Sequence, residues 1–173
     1  RYSDESTSFA QQQLISVMEN QLVRDAGLVV AAVASNLETA VYKRDFSGIR
    51  KQLKAFDQEG KVLYAYIYDT GGRIIHDNTK EVALYGQPVA DFLPEGVAVD
   101  FKAQATKIGR YVHASRPIRV GNETIAMLSV AISYTSAETD ILTFTSSLAQ
   151  KGEELQGKIT ATLLLVIALD LLV

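Results

Sequence analysis

Between Thr7 and Tyr42 the chain has no proline and a single glycine, Gly27, and its apolar residues return every three or four positions. Leu14, Met18, Leu22, Ala26, Val29, Val33 and Ala40 make one stripe, and Val30, Ala34, Leu37 and Val41 make a second beside it. One stripe gives a helix with one buried side; two adjacent stripes give a helix buried on two sides. The spacing predicts a helix of about 35 residues, about 50 Å long at 1.5 Å per residue, more than the width of a domain this size. One stripe is therefore expected on the chain's own domain and the other on a second copy, with Leu22, Ala26, Val29 and Val33 at the dimer interface.

After Tyr42 the period changes. Asp45 is placed to cap a short helix, Phe46 to Phe56, with Ile49, Leu53 and Phe56 on one face. Val62 to Tyr68 (VLYAYIY) is aromatic and β-branched and predicts a strand. Asp69-Thr70-Gly71-Gly72 is a turn, and Arg73 to Asp77 returns as the partner strand. Asn78 to Pro94 is expected as a loop with one helical turn; Glu95 to Ala105 has no clear period. A second hairpin follows, Gly109 to Val120 and Thr124 to Ser133 about a Gly121-Asn122 turn. Pro117, which lacks a backbone donor, is placed at an edge or bulge. From Ser136 the pattern is helical again and runs into the apolar segment Ile159 to Val173. Two antiparallel hairpins framed by helices predict an α+β fold with a sheet of four or five strands.

Composition narrows the chemistry. The 173 residues are 47% hydrophobic and 21% charged, ordinary for a globular chain, with net charge −3. No basic excess supports a nucleic-acid partner. With no cysteine and two histidines, His76 and His113, thiolate zinc sites and cysteine nucleophiles are excluded and chemistry needing several imidazoles is ruled out. No metal site and no cofactor are expected. The chain opens on Arg1 and stops within an apolar run whose Leu163 to Leu169 has no polar face, so the run is expected to begin a transmembrane helix. The domain plan is residues 1–44 as the dimerising helix, 45–135 as the core, 136–158 as a signalling helix and 159–173 as the start of the membrane span.

The stretch YAYIYDTGGRIIHDN, with its aromatic strand, Asp, glycine turn and second strand ending at a His, resembles the central hairpin of extracytoplasmic PAS-like sensor domains of bacterial membrane receptors, the single Cache type. GRYVHASRPIRVGNETIAMLSVAIS resembles the later hairpin of that family. The resemblance covers about Leu22 to Ser136. It implies a PAS-like sheet in a periplasmic input domain at the bacterial inner membrane, dimerising through its first helix. The domain would pass a conformational change to a histidine kinase, a diguanylate cyclase or phosphodiesterase, or a chemotaxis module. It also implies that Arg73 and His76, spaced as in sensors of citrate and C4-dicarboxylates, hold a ligand carboxylate. The second basic position of those sensors is occupied here by His113, with Ser115 two residues on, so a second permanent positive charge is missing.

Tyr66, Tyr68, Tyr111 and His113 are candidates for a polar-aromatic pocket floor, alongside Arg73, His76 and Ser115, for a small ligand such as a carboxylate or an amino acid. The alternatives are that Arg73 is a solvated turn residue, that His76 makes an ordinary strand-end hydrogen bond, and that the rings fill core. A rival reading of the whole is a module of the same fold that takes no small ligand and serves dimerisation or a protein partner. Another is an all-helical receptor bundle, disfavoured by Val62 to Tyr68. An enzyme is disfavoured because no nucleophile elbow or phosphate-binding glycine loop is present.

Overall fold

The structure is a computed structural model, and it describes residues 2–57 and 60–134. The expected signalling helix and membrane span lie outside the described residues. Within them, no helix is long and apolar enough to cross a membrane.

The two-stripe pattern folds as one helix, α1 (Tyr2–Tyr42). Val30, Ala34, Leu37, Ala40 and Val41 are buried, so the second stripe faces the sheet. Val29 stays 46% exposed and Leu28 69%, on the flank that the sheet leaves open. Arg116 passes close over the helix at Gly27, where a Cβ would lie 2.6 Å from Arg116 Nη2. Helix α2 (Phe46–Phe56) begins as expected, with Asp45 Oδ1 accepting from Gly48 N at 2.9 Å. Ile49 and Leu53 are its buried residues.

Five strands follow: β1 (Val62–Asp69), β2 (Ile74–His76), β3 (Gln104–Ile108), β4 (Tyr111–Val120) and β5 (Glu123–Ser133). They form one antiparallel sheet in the order β2-β1-β5-β4-β3. A 3₁₀ turn, η1 (Val89–Asp91), lies in the long connection between β2 and β3. The class is α+β, as the pattern predicts. β3 emerges from the segment without a clear period. At an edge, one strand neighbour and two exposed residues, Thr106 and Lys107, are enough to hold it, and half-polar edge strands carry little pattern. Pro117 obeys its constraint, because β3 pairs with β4 only as far as Gln104↔Ser115, so Pro117 has no neighbour on that side.

The sheet has two different faces. Toward the helices, Ala65, Ile67, Ala114, Ile118, Ala126, Leu128 and Val130 join α1 and α2 in the main core. The opposite face carries a smaller cluster of Tyr68, Ile74, Val89 and Met127, with Tyr66, Leu84, Phe92, Leu93 and Val99 packed on it from the long connection.

Candidate ligand-binding face

Strand alternation sorts the aromatic and polar residues onto that second face. Paired residues form rows across the sheet: Tyr64, Ala131 and His113 in one, and Tyr66, Ser129 and Ser115 in the next. The middle residue of each row is small. That lets side chains from β1 and β4 meet over β5. The Tyr64 hydroxyl lies 2.6 Å from His113 Nδ1, and His113 Nε2 lies 2.9 Å from Ser115 Oγ. Ser115 Oγ is 2.6 Å from Ser129 Oγ, which donates to the Tyr68 hydroxyl at 3.3 Å. His113, Ser115, Ser129 and Tyr68 are all fully buried.

This chain of bonds satisfies groups that burial would otherwise penalise. With the Tyr64 hydroxyl donating to Nδ1, the ring keeps its proton on Nε2 and donates to Ser115. The imidazole is neutral, because burial lowers its pKa from 6.5 to about 4. Burial raises Tyr64, Tyr66 and Tyr68; the charge of Asp77 adds to it at Tyr66, and the Ser129 hydrogen bond works against it at Tyr68. The phenols therefore stay protonated at neutral pH. Tyr64 stacks on Tyr66 at 4.9 Å between ring centroids, and Phe92 lies 6.3 Å beyond Tyr66. Phe101 lies 6.3 Å from Tyr68. Tyr111 stands at the start of the same face, close enough to raise Tyr64 further.

Of the expected site residues, Tyr66, Tyr68, Tyr111, His113 and Ser115 are thus brought together. Arg73 and His76 are placed elsewhere. Consecutive residues of β1, Ile67 and Tyr68, face His76 and Ile74, so β2 carries a bulge at Ile75. The bulge turns His76 toward the side of Ile67, where its ring lies 6.2 Å from Phe46 of α2. Its Nδ1 accepts from Asn78 N at 2.9 Å, and burial lowers its pKa against the pull of Asp77. Arg73 donates to the Gly86 carbonyl at 3.0 Å in the exposed connection. Arg73 thus lies in a bridge with Pro88, and His76 lies against Phe46.

Four participants were not among the expected residues. Tyr64 shares the parity of Tyr66 and Tyr68, so alternation alone would have found it. Ser129 shares that face through its pairing with Tyr66. Asp77 and Asp100 belong to the connection, whose course no periodicity fixes. Burial pushes the Asp77 carboxyl up, but hydrogen bonds from Thr79 and Leu84 outweigh it and leave the pKa below the usual range. Asp100 Oδ1 is buried without a hydrogen-bond partner.

On the helix side, a groove of about 490 Å³ lies between α1 and α2, lined by Val33, Asn36, Gln52, Ala55 and Phe56. Among the described residues no group of His, Asp or Glu is arranged to hold a metal.

No family model matches the sequence, and a search of curated proteins finds no match. Solved structures do match. The sensor domain of the V. cholerae histidine kinase DctB aligns over 79% of this chain and 57% of its own, at 11% identity and TM-score 0.49. The sensory domain of the Campylobacter jejuni chemoreceptor Tlp3 (CcmL), solved with isoleucine bound, aligns over 79% of this chain at 11% identity and TM-score 0.53. This chain spans 60% of the length of that Tlp3 domain. The long helix and five-stranded antiparallel sheet are the PAS-like α+β fold of that sensory domain.

Proposed function

We propose that this chain is a ligand-sensing input domain of a bacterial membrane receptor, facing the periplasm and relaying a conformational change through its C-terminal helix. The observation that carries the reading is the buried run Tyr64–His113–Ser115–Ser129–Tyr68 beneath an irregular connection. A face built only to fill core has no need of two histidine bonds and a serine pair at its centre. The fold likeness to a sensory domain points the same way, and the isoleucine bound to Tlp3 is a small ligand. The site is the face of Tyr66, Tyr68, Tyr111, His113 and Ser115 rather than the pair Arg73 and His76. The half-exposed α1 flank of Leu22, Ala26, Val29 and Val33 serves a homodimer, and the apolar run at the C-terminus serves membrane attachment.

The test is a thermal-shift screen with amino acids, amines and carboxylates on wild type, Ser115→Val and Arg73→Ala. A ligand that raises the melting temperature of wild type and Arg73→Ala but not of a folded Ser115→Val supports the covered face. The reverse pattern moves the site to Arg73. No stabilisation by any of these ligands favours the second reading, a dimerisation or partner-binding module. The packing of Phe92, Leu93 and Val99 on the sheet is the observation in its favour.

A further inference from the structure

We propose that His76 is the latch of a pH-operated flap: while its imidazole is neutral it pins the segment Asn78 to Tyr85 in place, and a second proton on the ring releases that segment. The inference is independent of the sensing reading, since it concerns how the connection is held and not what lies beneath it. The flap has two fixed ends. At one, His76 closes β2. At the other, Gly86 N donates to the Ile74 carbonyl, Ile74 N to the Gln87 carbonyl and Val89 N to the Gly72 carbonyl, all backbone bonds that no titration touches. Between the ends, Leu84 packs on the Tyr68 cluster. Its hold there runs through the start of the segment: Asp77 Oδ2 accepts from Leu84 N at 2.8 Å, while Oδ1 accepts from Thr79 N and Thr79 Oγ1. Asn78 (φ 63) and Val82 (φ 48) both lie in the left-handed region, which is most costly for a β-branched valine, so the segment keeps this course only while its bonds hold it.

The bond at the latch fixes the protonation of the ring. Asn78 N donates to His76 Nδ1 at 2.9 Å. A backbone amide can only donate, so Nδ1 carries no proton and the neutral ring holds its proton on Nε2. Nε2 is buried without a hydrogen-bond partner, and so is Asn78 Oδ1, which leaves the ring tied to the flap through Nδ1 alone. His113 differs, because its partners are hydroxyls. The Tyr64 O–H can turn and accept, so a second proton on His113 need break no bond. At His76 the same proton sets two donors face to face in a buried site. Around the ring, Asp77 attracts the imidazolium, but with the same carboxylate that holds Thr79 and Leu84; the Phe46 carbonyl of α2 favours it and Arg50 of α2 opposes it. Lys80 and Glu81, the charged residues of the flap, are exposed. Burial outweighs these influences and lowers the pKa of the closed ring. Opening gives the imidazolium water and frees Asp77 to pair with it. Proton uptake and opening are therefore coupled: the closed flap is fully favoured above the open ring's pKa and loses ground as pH falls below it.

Amide hydrogen exchange of the purified 173-residue chain, followed from about pH 7.5 to about pH 5 and corrected for the intrinsic pH dependence of exchange, reads the latch directly. The opening equilibrium at Asn78, Thr79 and Leu84 should rise about tenfold over that range, because an open ring titrates near 6.5 and a closed one lower. Leu128 and Val130, core residues of β5, should stay at least about a hundredfold better protected than the flap throughout, which marks the opening as local. His76→Asn, checked for fold by circular dichroism, puts a carbonyl oxygen where Nδ1 stood; it accepts from Asn78 N without titrating and should reduce the rise to less than about twofold. His113→Gln should keep the rise. Nitrogen NMR of the wild-type rings needs no variant, and should find His76 protonated on Nε2 at neutral pH with its pKa below 6.5. A proton on Nδ1 at neutral pH, flap opening that does not change with pH, the same rise in a folded His76→Asn, or flap amides that exchange only as fast as Leu128 and Val130 would each overturn the inference.

Discussion

Protonating His113 should destabilise the domain, and the size of the effect follows from its surroundings. The ring is fully buried, and burial alone lowers its pKa from 6.5 to about 4. A histidine whose folded pKa is depressed binds fewer protons folded than unfolded. Stability is therefore complete above the unfolded pKa and is lost as pH falls toward the folded one. With these two values, the loss from this one ring is about 1.4 kcal/mol near pH 5.5 and about 2.6 kcal/mol near pH 4.5. His76, also depressed by burial, and Asp77, held below the usual carboxylate range, both weaken the fold in the same direction on acidification. The assay must therefore isolate His113. Urea unfolding of wild type and of His113→Gln is followed by circular dichroism from about pH 8 to about pH 4.5. The contributions of His76 and Asp77 cancel in the difference, and any cost of the substitution itself is a constant offset. The difference should shrink by about 2–3 kcal/mol across the range, most of it between pH 6.5 and 4.5. Two curves that stay parallel would refute the argument, because the ring would then titrate as it does in water.

Other consequences are simpler. Asp45→Ala removes the acceptor for Gly48 N at the start of α2 and should cost about 1 kcal/mol in chemical denaturation. Leu37 is fully buried between α1 and the sheet; Leu37→Ala should cost about 3 kcal/mol and lower the melting temperature by roughly 8 °C in calorimetry. Val29→Glu, on the exposed flank of α1, should leave the circular dichroism spectrum intact and halve the mass measured by light scattering; an unchanged mass would remove this flank from the proposed dimer. Tyr134→Phe deletes the hydroxyl that bonds the Gly109 carbonyl and should cost about 1 kcal/mol, read as faster hydrogen exchange at the end of β5.

What could be read from the sequence was what repeats. Both helices, the two hairpins and the Asp45 cap follow from periodicity and capping chemistry, since each is decided within a few residues. Pro117 announced an unpaired backbone position in the same local way. β3 escaped because an edge strand has one neighbour and needs no strong alternation. Half of the candidate site was legible because parity assigns a strand residue to a face: Tyr66 and Tyr68 go together, and so do His113 and Ser115. Arg73 and His76 were drawn from the resemblance and not from parity, which sets residues three apart on opposite faces. The extra residue at Ile75 changes the parity between Ile74 and His76, which pair with consecutive residues of β1. Nothing near Ile75 marks the bulge, because the packing of His76 under Phe46 of α2, distant in sequence, favours it. Asp100 was out of reach altogether, since its position depends on how the connection folds back over Tyr68.

The position of β5 couples the covered face to the helix side of the sheet. β5 is the middle strand of the five, and its residues alternate between two environments that share no side chain. Met127 and Ser129 lie under the connection, while Ala126, Leu128 and Val130 lie in the core with Val30 and Leu37 of α1. Any shift of the strand that re-seats Ser129 against Ser115 must also move Leu128 and Val130, one residue away on either side. A close-packed core accommodates such a movement by displacing the neighbouring helix rather than by absorbing it. At the end of the strand, Ser133 N is held by the Lys61 carbonyl, Tyr134 by the β3–β4 turn at Gly109 and Arg110, and Lys107 joins the Tyr134 ring to Glu19 of α1. A rearrangement on the covered face therefore reaches α1 by two routes, through the apolar core along its buried stripe and through Lys107 at Glu19. The first is the stiffer route, because its contacts are dry and close-packed, while an exposed ion pair yields at little cost.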